Sequence, residues 1–220
     1  MTDREGSRST SPLAAVLGLA AVLVPICPAL YISAGAAVAI PPAAATTVAL
    51  GTRGAALVRR ARRSGGKRWP ARPTPVAFQA YIATVVLLIA QHTEEWLGHL
   101  PRTLGHLFPA AFPPGVTFDD RTLIAAFPLA ASALFLFGAL AYYHRLAVGE
   151  GAAWVLFTWA IIGGAAHFVY PVVGGAGGQY VGGMITAPVV MTRGAFGFRQ
   201  LLSRAAERAP TAGAHAGTPT

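Results

Sequence analysis

Charge is what this chain most lacks. Of its 220 residues, 11% are Asp, Glu, Lys or Arg, against roughly 25% in ordinary soluble domains. From Pro12 to Thr52 there is no charged residue at all, and Val76 to Ala90 is a second uncharged run. A chain that is 54% hydrophobic, with its apolar residues gathered into long runs, does not fit a soluble globule. Cysteine is nearly absent too. Cys27 has no second cysteine to pair with, so no internal disulfide is available. Its place inside an apolar run makes it a small buried hydrophobe. Aspartate-rich and DxDD-type signatures are missing, which disfavours ionisation of a metal-bound diphosphate.

The charge that is present is mostly positive, and the formal net charge is +9. Arg53, Arg59, Arg60, Arg62, Arg63, Lys67, Arg68 and Arg72 form one cluster, and Arg193, Arg199, Arg204 and Arg208 form another. Both adjoin apolar runs and lack the aromatic-basic interleaving of a nucleic-acid surface, so no nucleic-acid partner is expected. They fit cytoplasmic anchors against anionic membrane lipid.

These features predict an all-α, polytopic transmembrane helical bundle of about six spans. Residues 1–11 are polar and expected to lack fixed structure. Residues 12–57 hold one or two N-terminal spans, drawn as 13–31 and 35–57 at about 20 residues per crossing. A cleaved signal peptide is an alternative for 13–24, against which Pro25 and Pro28 and the length of the run argue. Residues 58–75 belong to a basic cytoplasmic loop. Residues 76–197 form a four-helix membrane domain with spans at 76–97, 123–143, 152–172 and 180–197. Residues 198–220 are a basic tail, mostly without structure. The positive-inside rule puts the basic loop and C-terminus in the cytoplasm of a multi-pass protein of the cell membrane. Asp119 and Asp120 read as loop and capping residues.

Against this apolar background, Gln91-His92-Thr93-Glu94-Glu95-Trp96 ends the 76–97 span and Leu97-Gly98-His99 follows. Ionisable residues in such a place face a bundle interior or a cavity and mark a functional site by default. On a helix Gln91, Glu94 and Glu95 fall at i, i+3 and i+4, and His92, Glu95 and His99 at i, i+3 and i+7. Two carboxyls sharing a site would not ionise together, which would leave one protonated beside a carboxylate. The competing reading is a solvated helix end in the headgroup layer. His167, approached through Gly163-Gly164, lies at the same expected depth and can complete the cluster as a proton relay or ligand. Equally, it can be a buried histidine bonded to a carbonyl. The candidate catalytic set is therefore Glu94, Glu95, His92 and His167. Gln91, Trp96, His99, Phe168, Tyr170 and Tyr180 are candidate contacts to substrate.

The run from Gln91 to Trp96, the Pro-containing outer connector, the Gly-rich approach to His167 and Tyr180-Val181-Gly182-Gly183-Met184-Ile185-Thr186-Ala187-Pro188 together carry a resemblance. Over about residues 76–192 the chain resembles the small bacterial integral membrane proteins called after their HXXEE motif. The resemblance implies four spans and an acidic cluster, with no settled activity. The chain departs from the motif in placing Gln91 three before Glu94 and the histidine one residue later, which rotates the imidazole by about 100° on a helix.

The functional expectation is a membrane-embedded enzyme working by acid–base chemistry on a lipophilic small molecule. Proton-initiated cyclisation of an isoprenoid or its epoxide is the leading reaction, with no cofactor and no metal. Small bacterial membrane terpenoid cyclases are similar in size and hydropathy, an analogy of architecture alone. The alternatives are a metal site built from His92, Glu94, Glu95, His99 and His167, or a non-enzymatic transporter or assembly subunit. The sequence leaves the oligomeric state open.

Overall fold

A computed structural model of the chain describes residues 44–53, 55, 73–111 and 121–207. The expected span 13–31, Cys27, most of the basic loop, Asp119, Asp120 and the end of the tail lie outside the described residues. So does most of the expected 35–57 span, of which residues 44–53 are helical.

The first long helix, α1 (Pro75–Leu97), starts directly after Thr74, whose backbone is extended. The Thr74 hydroxyl accepts from the Ala77 N–H at 3.2 Å, and Pro75, which has no N–H to satisfy, takes the first turn. The helix ends at Gly98, whose N–H donates to the Glu94 carbonyl at 2.7 Å. A short helix α2 (Leu100–Leu107) and a 3-10 turn (Pro109–Ala111) follow. Three long helices complete the described chain: α3 (Arg121–Tyr143), α4 (Ala147–Val173) and α5 (Ala187–Glu207). The described residues are all-α, without strands.

Contacts fix the directions of the helices. Tyr81 near the start of α1 donates to the Phe135 carbonyl of α3 at 2.9 Å, and the Phe78 and Tyr143 rings are 5.5 Å apart. These contacts make α3 antiparallel to α1. The last turns of α1 meet the C-terminal half of α4 through Glu95 and His167, so those two helices run parallel. Arg204 of α5 donates to the Tyr142 hydroxyl at 3.0 Å, which runs α5 back toward the start of α1. The result is a four-helix bundle with two distinct ends. One end gathers Thr74, Tyr142, Glu150 and Arg204, and the other gathers Glu94, Glu95, His167, α2 and the 174–186 connector.

Helix α4 is the centre of the packing, and every residue from Gly151 to Thr158 is buried. Helix α5 lies on it closely because of two glycines. A Cβ at Gly194 would sit 2.8 Å from the Ala160 Cβ, and one at Gly197 would run into the Phe157 ring. Small residues at such crossings let helices gain dispersion contact without any help from water. Helix α1 buries Ala77, Ala80, Tyr81, Thr84, Val85, Leu88 and Gln91, a stripe at spacings of three and four. Its opposite side remains apolar, with Val76, Val86, Ile89, Trp96 and Leu97 exposed.

Two helical stretches, Pro75–Leu97 and Val148–Val173, are long and apolar enough to cross a membrane. At about 1.5 Å per residue the first reaches roughly 35 Å. Helix α3 covers the expected 123–143 span, starting two residues earlier. The last helix differs from its expected 180–197 range. Residues 180–186 turn, and α5 begins at Ala187 and runs to Glu207, past Arg193, Arg199 and Arg204. The seven-residue shift has a physical cause at the far end of α1.

Candidate functional site

Glu94 and Glu95 are neighbours in sequence, so their side chains leave α1 about 100° apart. That angle sends them to different partners rather than onto one shared face. Glu94 turns toward the connector before α5, and Glu95 turns toward α4.

Glu94 accepts four hydrogen bonds. Its Oε1 takes the Tyr180 hydroxyl at 2.7 Å and the Ile185 N–H at 2.9 Å. Its Oε2 takes the Thr186 N–H at 2.8 Å and the Thr186 hydroxyl at 2.7 Å. All four contacts are donors, and only an ionised carboxylate is acceptor-only at both oxygens. Helix α5 starts one residue later, where free N–H groups and the positive end of the helix dipole would otherwise be unmatched. Glu94 thus caps α5 from another helix, and this is why residues 180–186 turn instead of extending α5 backward. The Tyr180 phenol is pushed up from its ordinary range by partial desolvation and by its bond to the Glu94 carboxylate.

Glycines let this connector lie directly on α1. A Cβ at Gly98 would stand 2.7 Å from the Gly182 Cα, and one at Gly182 would stand 3.1 Å from the Glu95 Cα. Gly183 has φ +96°, and a Cβ there would sit 2.7 Å from His167 Nδ1 and 2.8 Å from Nε2. The left-handed backbone at Gly183 is therefore also the cover on the His167 ring.

Beneath that cover, His167 Nε2 meets Glu95 Oε1 at 3.0 Å, with the two side chains 4% and 19% exposed. An Nε2–H donated to the carboxylate leaves the neutral imidazole with its lone pair on Nδ1. That Nδ1 is buried and has no hydrogen-bond partner among the described residues. The same holds for His92 Nδ1 and Gln91 Nε2. His92 lies within electrostatic reach of both Glu95 and His167. Gln91, one turn before Glu95 on the buried stripe, is 2% exposed. Tyr170 flanks the pair, its ring centroid 6.2 Å from that of His167 and its hydroxyl within electrostatic reach of Glu95.

The predicted residues therefore divide. Gln91, His92, Glu95, His167 and Tyr170 come together. Glu94 and Tyr180 form the separate cap of α5, so a shared proton between two carboxyls is not the arrangement found. Trp96 and Phe168 are 53% and 40% exposed on the bundle's outer surface. His99, exposed, initiates α2 from a left-handed φ of 52°. Sequence reasoning passed over Thr186, Ile185, Gly98, Gly182 and Gly183. The signal was there in Thr186-Ala187-Pro188, since a threonine N-cap with proline at the second helical position marks a helix start.

Among the described residues, no three His, Cys, Asp or Glu side chains are grouped so as to hold a metal ion. No protein-family profile, curated protein or solved structure matches the chain.

Proposed function

We propose that the chain is an integral membrane protein whose Glu95–His167 pair performs acid–base chemistry on a lipophilic substrate at one end of the bundle. The observation that carries this reading is the 3.0 Å Glu95–His167 contact, with His167 only 4% exposed on its side chain and its Nδ1 unpartnered among the described residues. A carboxylate that orients an imidazole and leaves the other ring nitrogen open is the arrangement a proton-transfer site requires.

The membrane assignment is supported by two helices of spanning length and by large apolar side chains that face outward. Leu136, Phe137 and Leu140 on α3, Val169, Val172 and Val173 on α4, and Val86 and Ile89 on α1 are all exposed. An apolar exterior of this extent suits lipid better than water. The six-span, multi-pass topology with the basic end in the cytoplasm extends this reading, as Arg145 and Arg204 lie at the end opposite the Glu95–His167 pair. The resemblance to the HXXEE-motif proteins is part of the same proposal.

The interior between the two ends favours a one-sided site over a transport path. Among the described residues, the buried hydroxyls of Tyr81, Thr84 and Thr158 donate to the carbonyls of Phe135, Ala80 and Trp154 at 2.9, 2.8 and 2.8 Å. They are spent on backbone and offer no relay.

With Glu94 committed to capping, the acid is His167 in its protonated form, supported by Glu95. An imidazolium is a weaker acid than a neutral carboxyl, so it suits proton delivery to an oxygen more than to an unactivated alkene. Cyclisation started by opening an isoprenoid epoxide is thus the form of the reaction we favour. It consumes no cofactor. The proton passes from His167 to the epoxide oxygen as the C–O bond breaks, and a proton lost from the cyclised cation restores the balance.

The test is product formation by membranes containing Glu95→Gln or His167→Gln, incubated with epoxidised and plain isoprenoids. Loss of about 100-fold or more in both variants is expected for a general acid pair. Full activity in either variant removes the proposal.

A further inference from the structure

The Glu95–His167 pair does not account for every polar group buried beside it. Gln91 is 2% exposed, and its Nε2 has no hydrogen-bond partner among the described residues. Leaving a buried amide donor unmatched is destabilising, and a leucine would fill the same stripe position without that cost. Gln91 continues the sequence Ala77, Ala80/Tyr81, Thr84/Val85, Leu88, so it points where the apolar side chains below it point. It also stands four residues before Glu95, and side chains at that spacing are neighbours. Glu95 in turn holds His167 at 3.0 Å. His92 Nδ1 is a further unmatched atom nearby, but the Gln91 amide and His167 Nδ1 both belong to side chains that flank Glu95.

Their chemistry is complementary to a single oxygen. The amide N–H needs an acceptor, and Nδ1 of the neutral imidazole needs a donor. A hydroxyl does both at once, accepting from Gln91 and donating to His167. A hydrocarbon satisfies neither group, and a carboxylate or phosphate would bring a charge for which no described cation is placed in this cluster.

We infer that Gln91 is the specificity-determining residue of the site and that its ligand is a lipophilic alcohol, the hydroxyl lodged between the Gln91 amide and His167 Nδ1. This rests on the reading of the site as one for lipophilic molecules, and it names their polar group. For the epoxide reaction such an alcohol is the product class, because ring opening converts the epoxide oxygen to a hydroxyl. Gln91 then holds the oxygen before and after the proton arrives.

Binding without turnover tests this directly. The full-length protein in lipid nanodiscs would be titrated with radiolabelled farnesol and with the hydrocarbon that carries hydrogen in place of its hydroxyl, and empty nanodiscs would correct for partitioning. The alcohol should bind at least about tenfold more tightly, since one matched hydrogen bond in an apolar site is worth about that factor. Gln91→Leu should erase the difference by weakening the alcohol and leaving the hydrocarbon unchanged, with thermal stability equal or higher. Gln91→Met, which keeps the side-chain length, should do the same if leucine packs poorly. Equal affinities in the unaltered protein, binding of neither ligand, or a preference that survives both variants would overturn the inference. The first of these results would mean that ordered water matches the two groups. Alcohol-selective binding with undiminished turnover in Glu95→Gln would leave the inference standing and sink the acid–base reading.

Discussion

Removing the Glu94 carboxylate should unfasten α5 from α1, and the size of the effect follows from its four bonds. Hydrogen bonds to a charged group contribute about 1.5–3 kcal/mol each when sheltered and much less in solvent. The two bonds to Oε1 involve exposed partners, while the two from Thr186 to Oε2 are half-buried. Counting mainly the second pair, Glu94→Ala should cost about 3 kcal/mol. In a domain of this size, that corresponds to a thermal midpoint lower by about 6–12 °C. Glu94→Gln should cost nearly as much despite its shape, because its NH2 group would face donors at one oxygen position. The purified protein in detergent would be followed by thermal unfolding, with hydrogen exchange at the Ile185 and Thr186 amides as the local probe. Both amides should lose protection ahead of the body of α5. A midpoint within about 2 °C of the unaltered protein, with those amides still protected, would refute the capping role.

Glu95→Gln makes the opposite case, since the new amide oxygen can still accept from His167 Nε2–H. Its midpoint should move by less than about 1 kcal/mol equivalent while turnover is lost, a separation of stability from activity that Glu94 variants cannot show. Gly183→Ala should destabilise by about 1–3 kcal/mol, because it combines a φ of +96° with a Cβ driven onto the His167 ring. Its signature is a shifted His167 imidazole resonance in the folded protein, and an unmoved resonance would contradict the packing. Alkaline pH tests Tyr180. Its phenol holds its proton more tightly when folded than when unfolded, so its contribution is complete below the unfolded value near pH 10 and is lost as pH rises through the folded one. Tyr180→Phe should therefore show a shallower alkaline loss of stability than the unaltered protein, and parallel curves would argue against the Glu94–Tyr180 bond.

How legible the chain was depends on which physical rule controls each part. The apolar runs announced α1, α3 and α4, because a long apolar helix is written almost entirely in composition. The start of α5 was misplaced by seven residues because hydropathy continues through Tyr180 and Val181, and nothing in composition marks where N–H groups find acceptors. That acceptor is Glu94, distant in sequence, and only the fold brings it to Thr186. The local cue, Thr186-Ala187-Pro188, was outweighed by the apolar run around it. Adjacent carboxylates carry the same lesson for the site. Spacing arguments put Glu94 and Glu95 on adjoining stripes, which is correct for the helix alone. They do not say which neighbour each stripe meets, and here the connector meets one and α4 meets the other. The 100° between them separates a structural anchor from a candidate proton-transfer group. Fold and chemistry are then coupled, since Gly182 and Gly183 of the connector held by Glu94 rest on Glu95 and His167. Loosening the cap should uncover the imidazole, so a Glu94 variant is expected to lose activity through water reaching His167, with its proton-transfer groups intact. Turnover in Glu94→Ala should accordingly recover on cooling toward the temperature where the Ile185 and Thr186 amides regain protection, whereas Glu95→Gln should stay inactive at every temperature.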